Sequence, residues 1–297
     1  MDLGTAFIAV QEHARAEIGN RLVDVTYRAA LVEALAVPGN ILSEKPNFRW
    51  ARTVVTCCLA AGGRWAQAVP IAAAVEMFMV GLDGLDDEED GEETPLRTAL
   101  GPARALNVAN GLLFLGLPCL LAGAGGAPVA VLLDAGLLAC GGQDADLRPV
   151  PDGERTLETA VAIAEAKAAP LVAAACRLGA CCAGADATLQ ARFARFGALA
   201  GMISQLTNDL AALRPDAVAN TDFTLNKPTV PLTYAAILAS EGDLGSKVPQ
   251  RDDWMDGPIQ LTWVLATTYR GHALAMIPDL TSDPAWRDAL AALVALQ

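Results

Sequence analysis

An apolar helical segment that ends in a dense run of acids constrains this chain more than any other feature. Residues 76–93 read EMFMVGLDGLDDEEDGEE, and the last eleven of them hold eight carboxylates. The C-terminal end of a helix carries partial negative charge, so acids there are unfavourable unless a cation offsets them. Asp86 and Asp90 are four residues apart and share one helix face, which suits a hard cation such as Mg²⁺. We therefore expect a divalent-cation site at this helix end.

A calcium-binding loop does not explain these acids. In such a loop starting at Asp86, the sixth position is Gly91, as required, but the twelfth is Arg97 and not the bidentate glutamate. The alternative that needs no metal is a solvated acidic turn.

The remaining chain predicts an all-α fold. Apolar residues recur at helical spacing between breaks such as Pro38-Gly39-Asn40 and Gly62-Gly63, and no stretch shows the alternation of a strand. Most of these segments are apolar on more than one side, which is typical of helices in a large bundle with a buried interior. We predict a single domain over residues 1–297 with about ten or more helices.

The charge balance excludes partners that need a basic surface. The 297 residues carry 34 acids and 21 bases, a formal net charge of -13. Such a chain offers no basic field to nucleic acid or to an anionic membrane. An anionic small molecule would have to be held by a few placed Lys or Arg side chains or by bound metal.

Cysteine and histidine usage is typical of a cytoplasmic protein. The seven cysteines are odd in number, include two adjacent pairs and lie in apolar helical patterns, as expected of reduced core thiols. His13 and His272 are the only histidines, which argues against a Cys/His zinc site. The first residues lack the basic and apolar regions of a signal peptide.

The most apolar stretch, residues 111–140, is not predicted to span a membrane. Pro118, the glycines at 123–126 and Asp134 divide it into pieces shorter than the roughly 20 residues that a span needs. We predict two buried helices, and no integral membrane segment.

Three polar features interrupt the later apolar helices. Gln205, Asn208 and Asp209 are spaced by three and four residues, so they are predicted to share a face that is either hydrogen-bonded or metal-bound. Lys227 stands where a loop meets an apolar helix, and Lys167 is isolated within another apolar helix. Each lysine is either solvated or paired with an anion such as a phosphate.

Together these features resemble the isoprenyl diphosphate synthase superfamily, which has the class I terpenoid synthase fold. The resemblance covers about residues 40–240. The landmarks occur in the family's order: Arg49, Glu76, the DDxxD formed by Asp86, Asp87 and Asp90, GQDADL (142–147), Lys167, QLTND (205–209) and DFTLNKPTVPL (222–232).

The resemblance implies a homodimeric isoprenoid-synthase fold with a deep apolar cavity, which binds a linear allylic diphosphate with three Mg²⁺ ions, or Mn²⁺ in their place. The implied metal-binding and catalytic residues are Asp86, Asp87, Asp90, Asn208 and Asp209. The implied diphosphate-binding residues are Lys167, Lys227, Gln205 and Arg97. The residues implied to line the cavity are Met77, Phe78, Val80, Gly81 and Met202.

The departures from the family pattern affect the second substrate most. Chain-elongating members hold isopentenyl diphosphate through basic residues, and residues 43–50, SEKPNFRW, keep two of them, Lys45 and Arg49. Glu92 and Glu93 stand where paired arginines follow the first aspartate motif. We therefore predict a Mg²⁺-dependent terpene synthase, a carbon–oxygen lyase that converts a C15 or C20 allylic diphosphate, geranylgeranyl diphosphate by preference, to a cyclic or rearranged terpene.

Three alternatives remain for this sequence. The first is a chain-elongating isoprenyl diphosphate synthase. The second is a prenyltransferase that modifies a peptide tryptophan, since such family members also have asparagine in the second motif. The third is a non-catalytic synthase subunit, against which retention of both motifs and both lysines argues. A second DDxxD, formed by Asp252, Asp253 and Asp256, precedes a helix, where acids are favourable without metal. It is predicted to lie outside the site, or else in a closing lid.

Overall fold

The computed structural model describes residues 3–21, 24–149, 155–213, 227–241 and 256–296, and their regular structure is entirely helical. The all-α prediction is confirmed. The helices are α1 (Leu3–Arg21), α2 (Val25–Leu35), α3 (Arg49–Ala60), α4 (Trp65–Glu89), α5 (Pro95–Leu100), α6 (Pro102–Ala124), α7 (Gly126–Leu147), α8 (Leu157–Cys182), α9 (Ala187–Ala212), α10 (Val230–Glu241), α11 (Asp256–Met276), a short 3-10 helix (Ile277–Asp279) and α12 (Pro284–Leu293).

The chain folds into two compact units, each assembled from segments distant in sequence. The first unit contains Met1–Asp134, Ala174–Ala194 and Pro278–Leu290. The second contains Ala135–Ala173, Arg195–Ile277 and Ala291–Gln297. The single domain over residues 1–297 stays a prediction, and each unit is described by itself below.

Helix α4 is the centre of the first unit. Every residue from Ile71 to Gly81 is buried, as expected of a helix that is apolar on all sides. Gly116 allows α6 to approach it closely, because a Cβ at this position would lie 2.8 Å from the carbonyl oxygen of Ala74. This close packing fixes the direction of α4 and so the position of its acidic end.

The apolar stretch 111–140 forms parts of two helices, as predicted. Helices α6 and α7 are separated at Gly125, whose φ of 83° is a left-handed conformation that favours glycine. By length and composition alone, four helices in the described part of the chain are long and apolar enough to cross a membrane, namely α4, α6, α7 and α8. The predicted absence of an integral membrane segment therefore stays a prediction.

Helix α6 carries an exposed apolar stripe, which we define as Leu106, Phe114 and Leu121. These residues are eight and seven positions apart, so they lie on one helix face, and the side chain of Phe114 is 75% exposed. Exposed apolar residues that share one helix face are a candidate interaction surface. The homodimer stays a prediction, and this stripe offers a place at which it can be tested.

Phe114→Glu is therefore expected to weaken self-association. A charge placed at the centre of an apolar interface remains desolvated and unpaired in the dimer, and each such charge costs several kcal/mol. Analytical ultracentrifugation should show a dimer for the wild type and a shift towards monomer for the variant.

Ile8→Glu provides the control, because it adds the same charge at an exposed apolar residue of α1. It should leave the dimer intact. A monomeric wild type, or a Phe114→Glu protein that dimerises normally, would contradict the assignment of the stripe.

Candidate functional site

The acids that follow the apolar run lie on an ordered helix end. The backbone N–H of Asp90 donates to the carbonyl oxygen of Asp86 at 2.9 Å, and that of Glu92 donates to Asp87 at 2.8 Å. Gly91, with φ of 69°, supplies the left-handed residue that closes the helix. Asp86, Asp87 and Asp90 are all half-buried. This ordering argues against a solvated acidic turn.

The surroundings of Asp87 fit a divalent cation. Burial raises the pKa of Asp87, and together with the neighbouring carboxylates of Glu92, Asp83, Asp86 and Asp90 it brings this pKa to about 7. A bound cation would offset both effects. The described residues contain no group of three or more His, Cys, Asp or Glu side chains arranged to hold a metal by themselves. Mg²⁺ commonly completes its coordination with water and substrate phosphate oxygens, so the donor set on α4 fits this ion.

Arg97 is bound by acids of its own unit. It lies in α5, where the Thr94 side chain caps its backbone N–H at 3.1 Å. Its guanidinium forms an ion pair with Glu88, and its Nε lies 3.7 Å from Glu93 Oε1. These carboxylates fasten α5 to the end of α4, and the diphosphate-binding role of Arg97 stays a prediction.

The first unit holds a small cavity beside the acidic end of α4, with a volume of about 140 Å³. Val80 is the one predicted cavity residue that borders it, together with Asp83 and Asp87. Ligand pockets usually enclose about 300–1,000 Å³, so this cavity is too small for a long prenyl chain. The deep apolar cavity stays a prediction.

The other residues predicted to line the cavity are packed in the helix cores. Met77 and Phe78 are buried on α4, and Met202 is buried against Leu206 in the second unit. Gly81 is buried on α4, where a Cβ would lie 2.8 Å from the carbonyl oxygen of Ala109, so the glycine admits the backbone of α6. The cavity-lining role of these residues stays a prediction.

Glu76 is buried and caps a neighbouring helix. Its Oε1 accepts a hydrogen bond from the backbone N–H of Ala51 at 2.9 Å, and the N–H of Trp50 also bonds to its carboxylate. These amides belong to the first turn of α3, whose N-cap residue, Phe48, forms no capping side-chain hydrogen bond in the described structure. Glu76 therefore fixes the start of α3, and with it Arg49, against α4.

The stability of the protein should depend on pH through Glu76. Burial raises the pKa of Glu76 from 4.5 to about 7. The protonated form is thus favoured in the fold, and this contribution to stability is complete below pH 4.5 and lost as pH rises through about 7. At about 1.4 kcal/mol per pH unit, the wild type should lose about 3 kcal/mol relative to Glu76→Gln across this window.

Urea unfolding of both proteins at several pH values measures this difference. The variant keeps a carbonyl acceptor for the α3 amides and removes the charge. Asp87 titrates in both proteins and cancels from the comparison. A difference in the free energy of unfolding that does not change with pH would contradict the assignment.

The second unit brings two lysines onto one carboxylate. Lys167 Nζ and Lys227 Nζ each lie 3.3 Å from Asp146 Oδ2. The Lys227 side chain is 5% exposed, that of Asp146 8% and that of Lys167 19%. Asp146 belongs to α7, Lys167 to α8, and Lys227 precedes α10. We call these three residues the Lys–Asp–Lys cluster. It holds two ammonium groups close together, as the binding of a polyanion requires.

Helix packing explains how the cluster forms. Gly142 lies at the crossing of α7 and α8, where an added Cβ would be 2.3 Å from the backbone nitrogen of Lys167. Gln143, the next residue, is buried, and neither its amide nitrogen nor its amide oxygen has a hydrogen-bond partner among the described residues. A buried amide without partners is rare and indicates a place for a ligand or water.

Sequence reasoning missed the roles of Gln143 and Asp146. The segment GQDADL was recognised as a family landmark, but neither residue was assigned to the site. The spacing of three between them, on an apolar helix, was the available signal.

The polar residues of α9 differ in their exposure to solvent. Gln205 Nε2 donates to Asp209 Oδ1 at 2.9 Å, and Asp209 is buried. Asn208 is exposed. The predicted proximity of Gln205 and Asp209 is confirmed, whereas the metal-binding roles of Asn208 and Asp209 stay predictions.

The two halves of the predicted site belong to different units. The acids of α4 are part of the first unit, and the Lys–Asp–Lys cluster, Gln205 and Asp209 are part of the second. Their convergence on one substrate stays a prediction. In the second DDxxD, Asp252 and Asp253 lie outside the described residues, and Asp256 is exposed at the start of α11.

Known proteins resemble this chain in sequence and in fold. The family model for polyprenyl synthetases matches residues 49–248. A (2E,6E)-farnesyl diphosphate synthase of Mycobacterium bovis is 29% identical over 202 residues, which are 64% of this chain and 56% of that protein. A curated relative with the same name from Mycobacterium tuberculosis matches to the same extent. The chain thus spans little more than half the length of these relatives.

Two solved structures share the fold at low sequence identity. A polyprenyl synthase from Caulobacter crescentus, complexed with calcium and isoprenyl diphosphate, has a TM-score of 0.83 at 22% identity, with 98% of this chain and 93% of that chain covered. A polyprenyl synthetase from Streptomyces coelicolor has a TM-score of 0.78 at 20% identity, with 98% and 97% covered. These similarities establish an isoprenoid-synthase fold.

Proposed function

Because the chain belongs to the polyprenyl synthetase family, we propose that it is a prenyltransferase that ionises a linear allylic diphosphate and joins the prenyl group to isopentenyl diphosphate. The Lys–Asp–Lys cluster carries this proposal. Two ammonium groups, one buried and one half-buried, that converge on one carboxylate oxygen form a preorganised site for a diphosphate. The unpartnered amide of Gln143 on the same helix as Asp146 is a further group suited to a polar ligand.

Each part of the chain has a distinct task in this reaction. Lys167 and Lys227 donate hydrogen bonds to the departing diphosphate, and Asp146 positions both ammonium groups. Asp86, Asp87 and Asp90 would hold Mg²⁺, and the relative crystallised with calcium and isoprenyl diphosphate supports a divalent ion in this family. Bound Mg²⁺ supplies neutralisation of the charge that develops on the leaving group. Asp209, which accepts a hydrogen bond from Gln205, supplies a buried carboxylate in addition to Asp146.

The comparisons favour chain elongation, in which isopentenyl diphosphate accepts the prenyl group. In this step the carbon–oxygen bond of the allylic diphosphate breaks, a carbon–carbon bond forms to the isopentenyl alkene, and the acceptor loses a proton. The relatives named above are farnesyl diphosphate synthases, and the solved structures are of a polyprenyl synthase and a polyprenyl synthetase. The terpene cyclase expected from the sequence gains no such support, so it becomes the second candidate. C15 and C20 remain the proposed chain lengths of the allylic diphosphate substrate.

One observation keeps cyclisation as that second candidate. Arg97, the first arginine after the acidic motif, is paired with Glu88 and Glu93. Lys45 and Arg49 are the basic residues that the sequence keeps for a second diphosphate, and Arg49 lies at the start of α3, which Glu76 caps. Without a second diphosphate, an allylic cation would be attacked by its own alkenes.

Product analysis separates the two functions. Purified protein and Mg²⁺ are incubated with geranyl, farnesyl or geranylgeranyl diphosphate, each with and without isopentenyl diphosphate. We expect a longer linear diphosphate that requires both substrates. A cyclic hydrocarbon formed from the allylic substrate alone would show that the protein is a cyclase and not an elongating synthase. Absence of any turnover would refute both functions. A peptide tryptophan prenyltransferase would then be tested by adding a tryptophan-containing peptide, and a non-catalytic subunit by adding a partner synthase.

A further inference from the structure

One residue of the first unit has a strained backbone. Phe48, which directly precedes α3, has φ of 50° and ψ of 34°, in the left-handed region. In the described part of the chain, it is the only residue other than glycine with a positive φ. This conformation is unfavourable for a bulky side chain and persists only where surrounding contacts enforce it, and such strain is concentrated at functional sites.

Contacts on both sides hold Phe48 in this conformation. Its ring stacks on the ring of Phe7 in α1, with 4.5 Å between the ring centres and 13° between the ring planes. Phe7 is itself buried. The carbonyl oxygen of Phe48 accepts a hydrogen bond from the backbone N–H of Arg52 at 2.6 Å, which opens α3. The side chain of Phe48 is therefore anchored to α1 and its backbone to α3.

The residue that follows, Arg49, is oriented by the same turn. A residue before a helix usually has an extended backbone, whereas the left-handed Phe48 brings the side chain of Asn47 within reach of the amide two residues later. Asn47 Oδ1 accepts a hydrogen bond from the backbone N–H of Arg49 at 2.9 Å. The carbonyl oxygen of Arg49 accepts one from Thr53 Oγ1 at 3.0 Å, and its guanidinium carbon lies 5.0 Å from the centre of the Trp50 ring. Arg49 is thus fixed at both ends of its backbone and at its guanidinium.

A turn with only a structural purpose would not need phenylalanine at this position. Glycine adopts the left-handed conformation without steric cost, but it also leaves the backbone free to change conformation. Phenylalanine keeps the strain and gains a stacked contact between rings, which immobilises the residue next to Arg49.

We propose that Phe48 is a positioning residue for the second substrate: its stack on Phe7 holds Arg49 in the orientation in which the guanidinium binds the diphosphate of isopentenyl diphosphate. This inference rests on the proposed chain elongation, for which Lys45 and Arg49 are the basic residues that the sequence keeps. A cation that is already ordered loses less freedom on binding, so the affinity for its ligand is higher. Ionisation of the allylic diphosphate, which other residues carry, does not depend on Phe48.

Steady-state kinetics of Phe48→Gly tests this role. Glycine keeps the left-handed turn without strain and removes the ring that stacks on Phe7. The KM for isopentenyl diphosphate should rise about tenfold, the size expected when a hydrogen bond from a charged group is lost. The kcat and the KM for farnesyl diphosphate should stay within about twofold of the wild type, because only binding of the second substrate is affected. Phe48→Tyr keeps the stacked ring and should have wild-type kinetics.

Binding measurements and a double variant separate positioning from a general loss of structure. Titration calorimetry with isopentenyl diphosphate should show a rise in Kd for Phe48→Gly that matches the rise in KM, and circular dichroism confirms that each variant is folded. In an Arg49→Ala background, Phe48→Gly should cause no further loss, because a residue that acts through Arg49 has no effect once the guanidinium is removed.

The contrary results distinguish this inference from the proposed function. A wild type that elongates farnesyl diphosphate, with a normal KM in Phe48→Gly, would overturn this inference alone. Additive losses in the double variant, or equal losses for both substrates, would show that Phe48 only stabilises the fold and would also overturn it. A wild type that neither binds isopentenyl diphosphate nor forms a longer product would overturn the proposed elongation, and this inference with it.

Discussion

Asp86→Ala should lower kcat/KM for the allylic diphosphate by about 10²–10³-fold while the fold is retained. Loss of one group that stabilises developing charge in an active site typically has an effect of this size. Asp86 and Asp90 share one face of α4, so removal of either leaves a cation with an incomplete donor set. Release of diphosphate from geranyl or farnesyl diphosphate in the presence of isopentenyl diphosphate, at several Mg²⁺ concentrations, measures the effect, and the Mg²⁺ requirement of the variant should rise.

Glu89→Ala is the matched control, because it removes an exposed acid from the same helix turn. It should keep activity within about threefold of the wild type, since exposed charges contribute little at this distance from a site. Equal losses in the two variants, or full activity in Asp86→Ala, would contradict the metal-binding role of Asp86.

Asp146→Asn should destabilise the protein by about 3 kcal/mol and reduce turnover in parallel. Removal of one partner of a buried ion pair leaves a desolvated charge, which is strongly destabilising. Here the buried Lys227 and the half-buried Lys167 lose the same carboxylate oxygen. Inorganic diphosphate should restore part of the stability, because its oxygens can bind the two ammonium groups. Chemical unfolding with and without diphosphate measures both effects.

Asp144→Asn is the control on the same helix. Asp144 forms an exposed ion pair with Arg148, and exposed pairs contribute about 0–1 kcal/mol. This variant should unfold like the wild type and respond equally to diphosphate. If Asp146→Asn behaves in the same way as Asp144→Asn, the Lys–Asp–Lys cluster does not organise a diphosphate site.

The parts of the fold that follow from local pattern were predictable from sequence. Helical periodicity without strand alternation predicted the all-α fold, and Gly125 separates the two helices expected in residues 111–140. The helical spacing of Gln205 and Asp209 predicted their shared face, and the structure joins them by a hydrogen bond. These features depend on residues within one or two turns of each other.

The parts that depend on tertiary contacts were not predictable in the same way. Asp146 and Lys227 are 81 positions apart in sequence, and only the fold brings both lysines to one carboxylate. Gly81 was predicted to line the cavity, and only the fold shows that the backbone of α6 packs against it. Arg97 was expected at a diphosphate, and the fold pairs its guanidinium with Glu88 and Glu93. In each case a partner distant in sequence, or a competing local charge, decides the outcome.

The measurement that tests the central claim most directly follows the carbon of isopentenyl diphosphate into product. Protein, Mg²⁺, unlabelled farnesyl diphosphate and uniformly ¹³C-labelled isopentenyl diphosphate are incubated together, and the products are analysed by mass spectrometry. We predict a linear prenyl diphosphate that contains one labelled five-carbon unit for each condensation. An unlabelled terpene released together with free diphosphate, or unchanged substrates, would contradict the assignment of this chain as a chain-elongating prenyltransferase.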